Sequence, residues 1–358
     1  MAHLNTNIAA GPNWSVPARV KAQAIFDDVF LLNTTNVMME HWKEVEAFHN
    51  LNEIGELHLK NLPSPFSHPD IVVFEGFNFM EHVSFAKELK KAGIPYIITP
   101  RGALTYEAQH NHAWLKKTIA RWLFFGTYIK NAASIQYLTE GERERSTIMF
   151  KTPHFVLPNG FNEPNLKKSA FINRGIKAVF IGRLDMYHKG IDLLLNAIAG
   201  IQKQLIQEEF TLDIYGPKRY DYYIIDETIR KLGINNVVNL HDEVGGEDKQ
   251  RVLLDSDLFV MTSRLEGLPM GLLEALAYGV PCFITKGTNM KEEVERFDAG
   301  WTCYGGENGI AEELLTIVRE KEMLQKKGKN ALLLSQCYQW GRIAERFHDM
   351  ILSLLTKV

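Results

Sequence analysis

Two glutamates, Glu266 and Glu274, lie at a spacing at which their carboxylates could flank one binding site. Seven residues separate them, beginning with Gly267, Leu268, Pro269, Met270 and Gly271. The glycines let the backbone approach a ligand closely, and proline suits the first turn of a helix. Free amides at such a helix start attract phosphate. Carboxylates repel phosphate but accept hydroxyl protons, so the stretch favours a ligand that is both a phosphate and a polyol, such as a nucleotide sugar.

The sequence around this stretch predicts a strand, a loop, a helix and a second strand. Residues Leu258–Met261 form a short apolar run of buried-strand type, and residues 281–285 form another. This βαβ unit places Glu266 in the loop and Glu274 one turn into the helix. An ordinary strand-to-helix turn with two solvated glutamates is the alternative interpretation.

A second loop in the same half of the chain carries two cations. The predicted strand 177–181 is followed by Gly182 and Arg183, and Lys189 precedes the helix predicted at 191–201. Both loops should open on the same edge of one parallel sheet, where such sheets bind their ligands. Two cations and a helix N-terminus match the charge of a diphosphate, and each charge-assisted contact is worth about 1.5–3 kcal/mol. Taken singly, each cation would be a solvated loop charge.

The stretch from Glu266 to Glu274 resembles the E-x7-E signature of retaining glycosyltransferases with the GT-B fold, in particular glycosyltransferase family 4 (group 1). The resemblance covers nearly all of the second half, where three further motifs agree with the family: Asn159-Gly160, Tyr215-Gly216-Pro217 and Ala277-Tyr278-Gly279-Val280-Pro281. It implies an α/β GT-B fold, in which two Rossmann-like parallel-sheet domains face a cleft and the C-terminal helix crosses back onto the first domain.

The resemblance also implies roles for individual residues. Arg183 and Lys189 would hold the donor pyrophosphate and stabilise the leaving diphosphate, Glu266 would bind hydroxyls of the transferred sugar, and Glu274 would bind the ribose. The catalytic group would be Arg183, Lys189 and Glu266. The full donor-binding set would be Gly182, Arg183, Lys189, Glu266, Gly267, Leu268, Pro269, Met270, Gly271 and Glu274. No nucleophile is expected, because in such retaining enzymes the leaving phosphate is thought to assist the acceptor.

The implied reaction is transfer of a hexosyl group, with retention, from a nucleoside diphosphate sugar to a saccharide or lipid-linked saccharide. Within the family UDP is the first choice of donor nucleotide and GDP the second. The pathway implied is biosynthesis of a surface polysaccharide, such as capsule, O-antigen or exopolysaccharide. The sequence specifies neither the donor sugar nor the linkage formed.

The first half alternates extended and helical runs, which predicts a second parallel sheet covered by helices. Strands are expected at 28–33, 70–74 and 95–99, with a helix at Met80–Ala92 closed by Gly93. Several residues fall where ligands would bind at the strand ends of the two sheets, and we predict donor or acceptor contacts for them: Gly11, Ser15, Glu75, Arg101, Gly102, Tyr215 and Gly216. Each of these turns could equally be an ordinary βα connection.

Arg101 departs from the family pattern. The family usually has a donor-contacting histidine at the corresponding loop, although some members carry Arg-Gly there, as this chain does at Arg101 and Gly102. Arg101 is therefore a candidate for binding a charged group of the donor or of the acceptor.

The length of 358 residues predicts two domains. A Pro-Asn-Gly turn at 158–160 follows the strand predicted at 155–157 and is typical of a hinge. We expect a Rossmann-like acceptor-binding domain at 1–158, a Rossmann-like nucleotide-sugar donor-binding domain at 159–340, and a terminal helix at 341–358 that packs back on the first domain.

The sequence of residues 113–130 predicts an amphipathic helix with basic and aromatic side chains. It could rest on an anionic membrane, but we favour a core-packing helix with a solvated basic side.

Composition narrows the function classes. A net charge of −3 argues against a nucleic-acid partner. Three cysteines without C-x-x-C spacing favour a reducing compartment. The start of the chain lacks a signal-peptide pattern, and no apolar run is long enough for a membrane span. We therefore expect a cytoplasmic protein, with peripheral contact at the inner face of the membrane as one option.

Neither a metal nor another cofactor is expected. The segment Asp255-Ser256-Asp257 matches D-x-D, but it precedes its strand and should lie at the amino edge of the sheet, opposite the ligand. Arg183, Lys189 and backbone amides would neutralise the leaving phosphate instead. His110 and His112 have a spacing that is poor for a helical metal pair, and they receive no role.

Other functions are compatible with part of this pattern. A GT-B nucleotide-sugar epimerase or phosphorylase would share the fold, although neither has the E-x7-E loop in this form. A non-catalytic nucleotide-sugar-binding protein would bind the donor without transferring it. A dinucleotide oxidoreductase is disfavoured because no G-x-G-x-x-G follows a predicted strand.

Overall fold

The computed structural model describes residues 1–6, 11–109, 124–146, 152–171, 175–219, 221–264, 266 and 268–356. The chain divides into two compact units. Unit 1 comprises Met1–Gly160 together with Trp340–Val358, and unit 2 comprises Phe161–Gln339. Each unit is built around a parallel sheet with helices against it.

The described part of unit 1 contains six short strands: β1 (Leu31–Asn33), β2 (Phe48–Asn50), β3 (Val72–Glu75), β4 (Tyr96–Thr99), β5 (Ser134–Tyr137) and β6 (His154–Val156). β1 pairs with β2, and β3 to β6 pair in chain order, all in parallel. Ala2 bridges Asn33 and Glu75, so the first residues lie between β1 and β3 and join the two groups of strands. Every residue of β4 is buried, as expected for a central parallel strand covered on both faces.

In the described part of unit 1, six α-helices precede residue 160: α1 (Pro12–Gln23), α2 (Leu51–Ile54), α3 (Met80–Ala92), α4 (Tyr106–Gln109), α5 (Gly126–Lys130) and α6 (Glu140–Arg145). The predicted bounds of α3 are confirmed. Gly93 adopts φ 71° and its N–H bonds to the carbonyls of Leu89 and Lys90, which ends the helix. Glu81 in the first turn and Lys90 in the last complement the helix dipole.

The sheet of unit 2 has the order β12-β11-β10-β7-β8-β9, with every pair parallel. Its strands are β7 (Ile176–Ile181), β8 (Phe210–Tyr215), β9 (Val238–His241), β10 (Leu258–Met261), β11 (Cys282–Thr285) and β12 (Gly300–Cys303). Alternate residues of β7 enter two hydrophobic clusters, Ala178 and Phe180 on one face and Val179 and Ile181 on the other. The sheet is therefore buried on both faces by helices.

The helices of unit 2 are α7 (Ile191–Gly200), α8 (Gln202–Gln207), α9 (Tyr222–Leu232), α10 (Gly246–Asp255), α11 (Met270–Ala277), α12 (Lys291–Phe297), α13 (Glu307–Arg319) and α14 (Leu324–Gln336). α7 packs against α13, and α11 packs against α14. The final helix, α15 (Trp340–Leu355), belongs to unit 1 and packs against α1. There Phe347 lies under the guanidinium of Arg19, with 4.0 Å between the ring centroid and Cζ.

The sequence pattern and the structure differ mainly at short elements. β1 begins at Leu31 rather than at residue 28, and β2 and β12 were not predicted. The last two lack the continuous apolar run that marks strands such as β10. The amphipathic segment 113–130 lies mostly outside the described residues, which include only its last part, with α5. His110 and His112 also lie outside them.

A buried histidine in unit 1 gives the fold a pH dependence. His82 of α3 is fully buried between the rings of Phe74 and Phe79, each with its centroid 5.0 Å away. Neither ring nitrogen has a hydrogen-bond partner within the described part of the chain. Burial, reinforced by the positive charge of the Met1 amine and by His3, holds the pKa of His82 well below its ordinary value of 6.5.

We expect unfolding to become easier below about pH 6.5, because the unfolded chain then takes up a proton that folded His82 refuses. Because of this single group, the free energy of unfolding should fall by up to about 1.4 kcal/mol for each pH unit below that value. The measurement is denaturant unfolding from pH 7.5 to 5.0 for the wild type and for His82→Leu. The difference between the two curves isolates the histidine, and parallel curves would contradict the expectation.

Candidate active site

The loop after β7 carries the two predicted cations. Its start is held by Asp185, whose carbonyl accepts from the Lys189 N–H at 3.0 Å and whose Oδ1 accepts from the His188 N–H at 2.9 Å. Burial alone would raise the pKa of Asp185, but the bonds from His188 and the charges of His188 and Arg183 outweigh it and lower the pKa. The Arg183 side chain is 53% exposed, with Nη2 3.5 Å from Asp185 Oδ2. The loop thus presents an accessible guanidinium at the carboxyl end of β7.

The end of this loop touches the loop after β10 at Gly190. Gly190 has φ 61°, and a Cβ there would lie 2.1 Å from the carbonyl oxygen of Thr262. The Thr262 hydroxyl donates back to the Gly190 carbonyl at 3.1 Å. Only glycine permits this approach without strain. The two loops that carry the predicted charges are therefore fixed to each other by backbone contact.

The structure brings Lys189 and Glu266 together. Lys189 Nζ forms an ion pair with Glu266 Oε1, and the Ser263 hydroxyl donates to the same oxygen at 2.7 Å. Their side chains are only 15% and 12% exposed. The Glu266 N–H donates to the Gly287 carbonyl at 2.8 Å, and the Asn289 amide donates to the Glu266 carbonyl. Glu266 is thus held in one orientation rather than solvated.

The helix after this loop begins next to β7. α11 starts at Met270, so Pro269 stands at the N-cap rather than in the first turn. A Cβ on Gly271 would lie 3.2 Å from the Ile181 carbonyl oxygen, so the glycine lets the first turn pack closely on the end of β7. Leu268 is half-buried, and Gly267 lies outside the described residues.

Glu274 has a partner that the sequence pattern did not suggest. It forms an ion pair with Lys249 of α10, and both side chains are partly exposed. Lys249 lies 25 positions before Glu274 and belongs to no motif, so only the packing of α10 beside α11 reveals the pair.

A neighbouring strand end adds two aromatic groups. Tyr215 ends β8, and its ring stacks on His241 of β9 with 4.5 Å between centroids. His241 Nε2 lies 2.8 Å from Asp213 Oδ1. A Cβ on Gly216 would lie 2.5 Å from the Gly182 carbonyl oxygen, so the loops after β7 and β8 are also in close contact. His241 was not predicted to be a site residue, because it belongs to none of the sequence motifs.

Arg264 is a further cation of this region and lies two positions before Glu266. Its guanidinium binds both carboxylate oxygens of Asp192 at 2.6 and 2.7 Å and lies over the Tyr187 ring. The hydrogen bond with Asp192 raises the pKa of Arg264 further above its ordinary value. Its charge is thus used to hold the loop against α7.

Unit 1 has its own charged cluster at the carboxyl end of β3. Buried Glu75 accepts from Arg19 Nη1 and from Arg101 Nε, both at 2.8 Å. Burial by itself would raise the pKa of Glu75, but the charges of Arg101 and Arg19 outweigh it and lower the pKa. Arg101 Nη1 donates to the Ser15 hydroxyl at 3.0 Å, which in turn donates to the Gly11 carbonyl. Four of the residues predicted to contact donor or acceptor, Gly11, Ser15, Glu75 and Arg101, therefore meet at one place.

Arg101 is held in an unusual conformation. Its φ is 52°, a left-handed value that is uncommon for residues other than glycine, and Gly102 follows at 82°. Its Nη2 is buried without a hydrogen-bond partner within the described part of the chain. The Gly102 N–H donates to buried Glu142, whose pKa is raised by burial. An unpaired buried polar group and a left-handed backbone both lower the stability of the folded protein. Residues with such features cluster at functional sites.

The D-x-D segment is structural. Asp255 ends α10, and Asp257 immediately precedes β10, at the amino edge of the sheet. Asp257 Oδ2 accepts from the Lys177 N–H at 3.1 Å, and its Oδ1 lies 3.2 Å from Lys168 Nζ. Both oxygens of Asp257 are engaged far from the loops that carry Arg183 and Glu266.

Residues 162–333, which lie within unit 2, match the family model described as glycosyl transferases group 1. The match agrees with the family that the E-x7-E resemblance predicted. Among the described residues, no helix is long and apolar enough to cross a membrane.

Known proteins resemble the chain in sequence and in fold. N-acetyl-alpha-D-glucosaminyl L-malate synthase of Bacillus anthracis is 33% identical over 102 residues, which are 26% of this chain and only 27% of that protein. Anabaena Alr3699/HepE, solved in complex with UDP and glucose, has a TM-score of 0.69 at 16% identity and covers 98% of each chain. WaaG, a glycosyltransferase involved in lipopolysaccharide biosynthesis, has a TM-score of 0.62 at 15% identity, covering 98% of this chain and 97% of the other. The predicted α/β GT-B fold is confirmed.

Proposed function

We propose that the protein is a retaining glycosyltransferase that moves a sugar from a nucleoside diphosphate sugar to a saccharide or lipid-linked saccharide. The observation that carries the proposal is the pairing of Lys189 with Glu266 beside the start of α11. Lys189 and Glu266 are separated by 77 positions, yet a cation and a carboxylate meet here, and the helix that follows Glu266 begins at Met270. A nucleoside diphosphate sugar offers a diphosphate and hydroxyls that match these groups.

In this proposal the donor replaces contacts that the protein makes with itself. The diphosphate forms ion pairs with Arg183 and Lys189, and hydroxyl groups of the sugar donate hydrogen bonds to Glu266. Glu274 accepts from the ribose, and Lys249 keeps that carboxylate oriented. Catalysis comes from positioning and from electrostatic stabilisation of the departing diphosphate, which assists the acceptor on the face it leaves.

The cluster in unit 1 is proposed to serve the charged part of the donor or acceptor. Arg101 is the leading residue, because its guanidinium has donor capacity left after binding Glu75 and Ser15. Glu75, Gly11 and Gly102 support it rather than bind ligand themselves. Tyr215 and Gly216 are proposed to lie beside the donor nucleotide in unit 2.

UDP is proposed as the donor nucleotide, with GDP as the second choice. The UDP bound in the Anabaena relative supports the first choice. Synthesis of a surface polysaccharide at the inner face of the membrane is proposed as the setting, supported by the lipopolysaccharide role of WaaG.

Activity is expected to persist in a chelator, because two basic side chains and helix amides can neutralise the leaving diphosphate without a divalent ion. The measurement is turnover of UDP-sugars with excess EDTA, compared with added Mg²⁺ or Mn²⁺. The turnover rates with EDTA and with added metal are expected to agree within about twofold, because Arg183 and Lys189 already stabilise the leaving diphosphate. Strict dependence on the added metal would contradict this assignment.

The experiment that tests the function is calorimetric binding of UDP, GDP and ADP to the full chain in chelator, repeated with Arg183→Ala. We expect one diphosphate to bind at micromolar strength and the variant to lose it. Donor hydrolysis and transfer are then assayed with sugars of that nucleotide. Binding without either reaction would favour a non-catalytic nucleotide-sugar-binding protein, and absence of binding would reject the donor site.

A further inference from the structure

A pocket of about 460 Å³ lies in unit 1, between the sheet and the helices α1 and α15. α1 contributes Val16 and Val20, β3 contributes Val73, and α15 contributes Phe347 and Ile351. The volume falls within the range of about 300–1,000 Å³ that is usual for small-molecule sites. Of the residues predicted above to contact donor or acceptor, Glu75 lines this pocket and the others do not.

The mouth of the pocket lies on the amino edge of the sheet. Asp28 precedes β1 and Asp70 precedes β3, and both line the pocket and are exposed. Leu352 of α15, also exposed, lines it too. The residues proposed to contact donor or acceptor follow the carboxyl ends of the strands instead. The pocket therefore opens on the opposite edge of the unit 1 sheet.

The walls favour an apolar occupant. They consist largely of valine, leucine, isoleucine and phenylalanine side chains from five secondary structure elements and the segment 62–70. Apolar surface left in contact with water costs about 25 cal/mol per Å². Apolar walls also give ordered water few hydrogen-bond partners. A hydrocarbon chain would remove this cost by replacing water against the walls.

Charge at the mouth selects the head group. Asp28 and Asp70 form no ion pair within the described ranges, whereas Asp27 beside them binds His348 at 2.7 Å. The lining arginine, Arg19, lies at the inner end and is already paired with Glu75. The mouth is therefore net negative and repels an anionic head group.

We propose that this pocket binds the aliphatic chain of a single-chain amphiphile whose head group is uncharged or cationic. The chain lies between α1, α15 and the sheet, and the head group stays at the mouth beside Asp28 and Asp70. Because the walls come from both ends of the chain, occupancy ties α15 to α1 and β3. The site does not depend on the proposed transferase activity.

Three probes with the same chain and different heads test the proposal: decyltrimethylammonium, 1-decanol and decanoate. Each is titrated into the full chain and followed by calorimetry, the two charged probes below their micelle concentrations and 1-decanol below its solubility limit. We expect saturable binding of one equivalent of the first two probes, and binding of decanoate weaker by about tenfold because of like charge at the mouth. Absence of saturable binding, or decanoate binding as tightly as the other probes, would overturn the proposal.

Matched variants locate the binding. Val20→Trp fills the pocket and should abolish binding, whereas Ile206→Trp, at an exposed apolar position of α8 in unit 2, should leave it unchanged. The pair Asp28→Asn and Asp70→Asn should bring decanoate to the affinity of decanol, a readout that does not depend on how well Val20→Trp folds. Arg183→Ala should bind decanol normally, which separates this site from the donor site. Undiminished binding by a folded Val20→Trp variant would place the amphiphile elsewhere and refute the proposal.

Discussion

Replacing Arg183 by alanine is expected to lower kcat/KM for sugar transfer by about 100-fold or more. The guanidinium is proposed to bind the diphosphate, and its charge-assisted bonds strengthen as the leaving group gains charge. Stability should change by less than about 0.5 kcal/mol, because the side chain is half exposed and lies 3.5 Å from Asp185. Steady-state kinetics and denaturant unfolding measure the two effects separately.

Arg251→Ala is the matched control for this experiment. Arg251 is an exposed arginine of the same unit, on α10, with Asp248 3.3 Å away. Its loss removes the same charge at a position outside the proposed donor site, and activity should remain within about twofold. Equal losses of activity in the two variants would show that net charge, rather than the Arg183 contact, is what matters. Glu274→Ala should likewise lose activity far more than stability.

Replacing Gly190 by alanine is expected to destabilise unit 2 by about 3 kcal/mol or more. The left-handed backbone at φ 61° costs a residue with a Cβ roughly 1–2 kcal/mol. The added Cβ would also lie 2.1 Å from the Thr262 carbonyl oxygen, so the two loops must separate. Since Lys189 and Glu266 are held by those loops, donor binding should weaken as well.

Gly233→Ala separates the two contributions. Gly233 ends α9 with nearly the same φ, 67°, but no atom lies within 4 Å of a Cβ built there. Its replacement should lower the free energy of unfolding by about 1 kcal/mol, through the left-handed backbone alone, and leave donor binding unchanged. Guanidinium unfolding of both variants gives the comparison. A Gly190→Ala variant no less stable than Gly233→Ala would contradict the close approach of the two loops.

Much of the local structure could be predicted from the sequence. The bounds of α3 and β10 agree with the expectation residue for residue. α3 has a strong end signal in Gly93, and β10 is a continuous apolar run. The fold class could also be predicted, because strands alternate with helices along both halves. The strands β2 and β12 were missed because they lack the continuous apolar run that marks β10.

The chemical groups of the site and the loops that carry them could be read from the amino-acid sequence: the two glutamates, the cations of the β7 loop and the glycines around them. These are local properties, set by backbone sterics and side-chain type. Which groups meet was decided by the tertiary structure. Lys189 reaches Glu266 because β7 lies next to β10, although 77 positions separate the two residues.

The same holds for the pairs that no motif indicated. Lys249 meets Glu274, and Arg19 meets Glu75 and Arg101, only after helices pack on the sheet. The pocket between α1 and α15 likewise exists only because the last helix returns to the first unit. Strand order and helix packing depend on contacts between distant segments, which the local pattern of hydrophobic and polar residues does not encode.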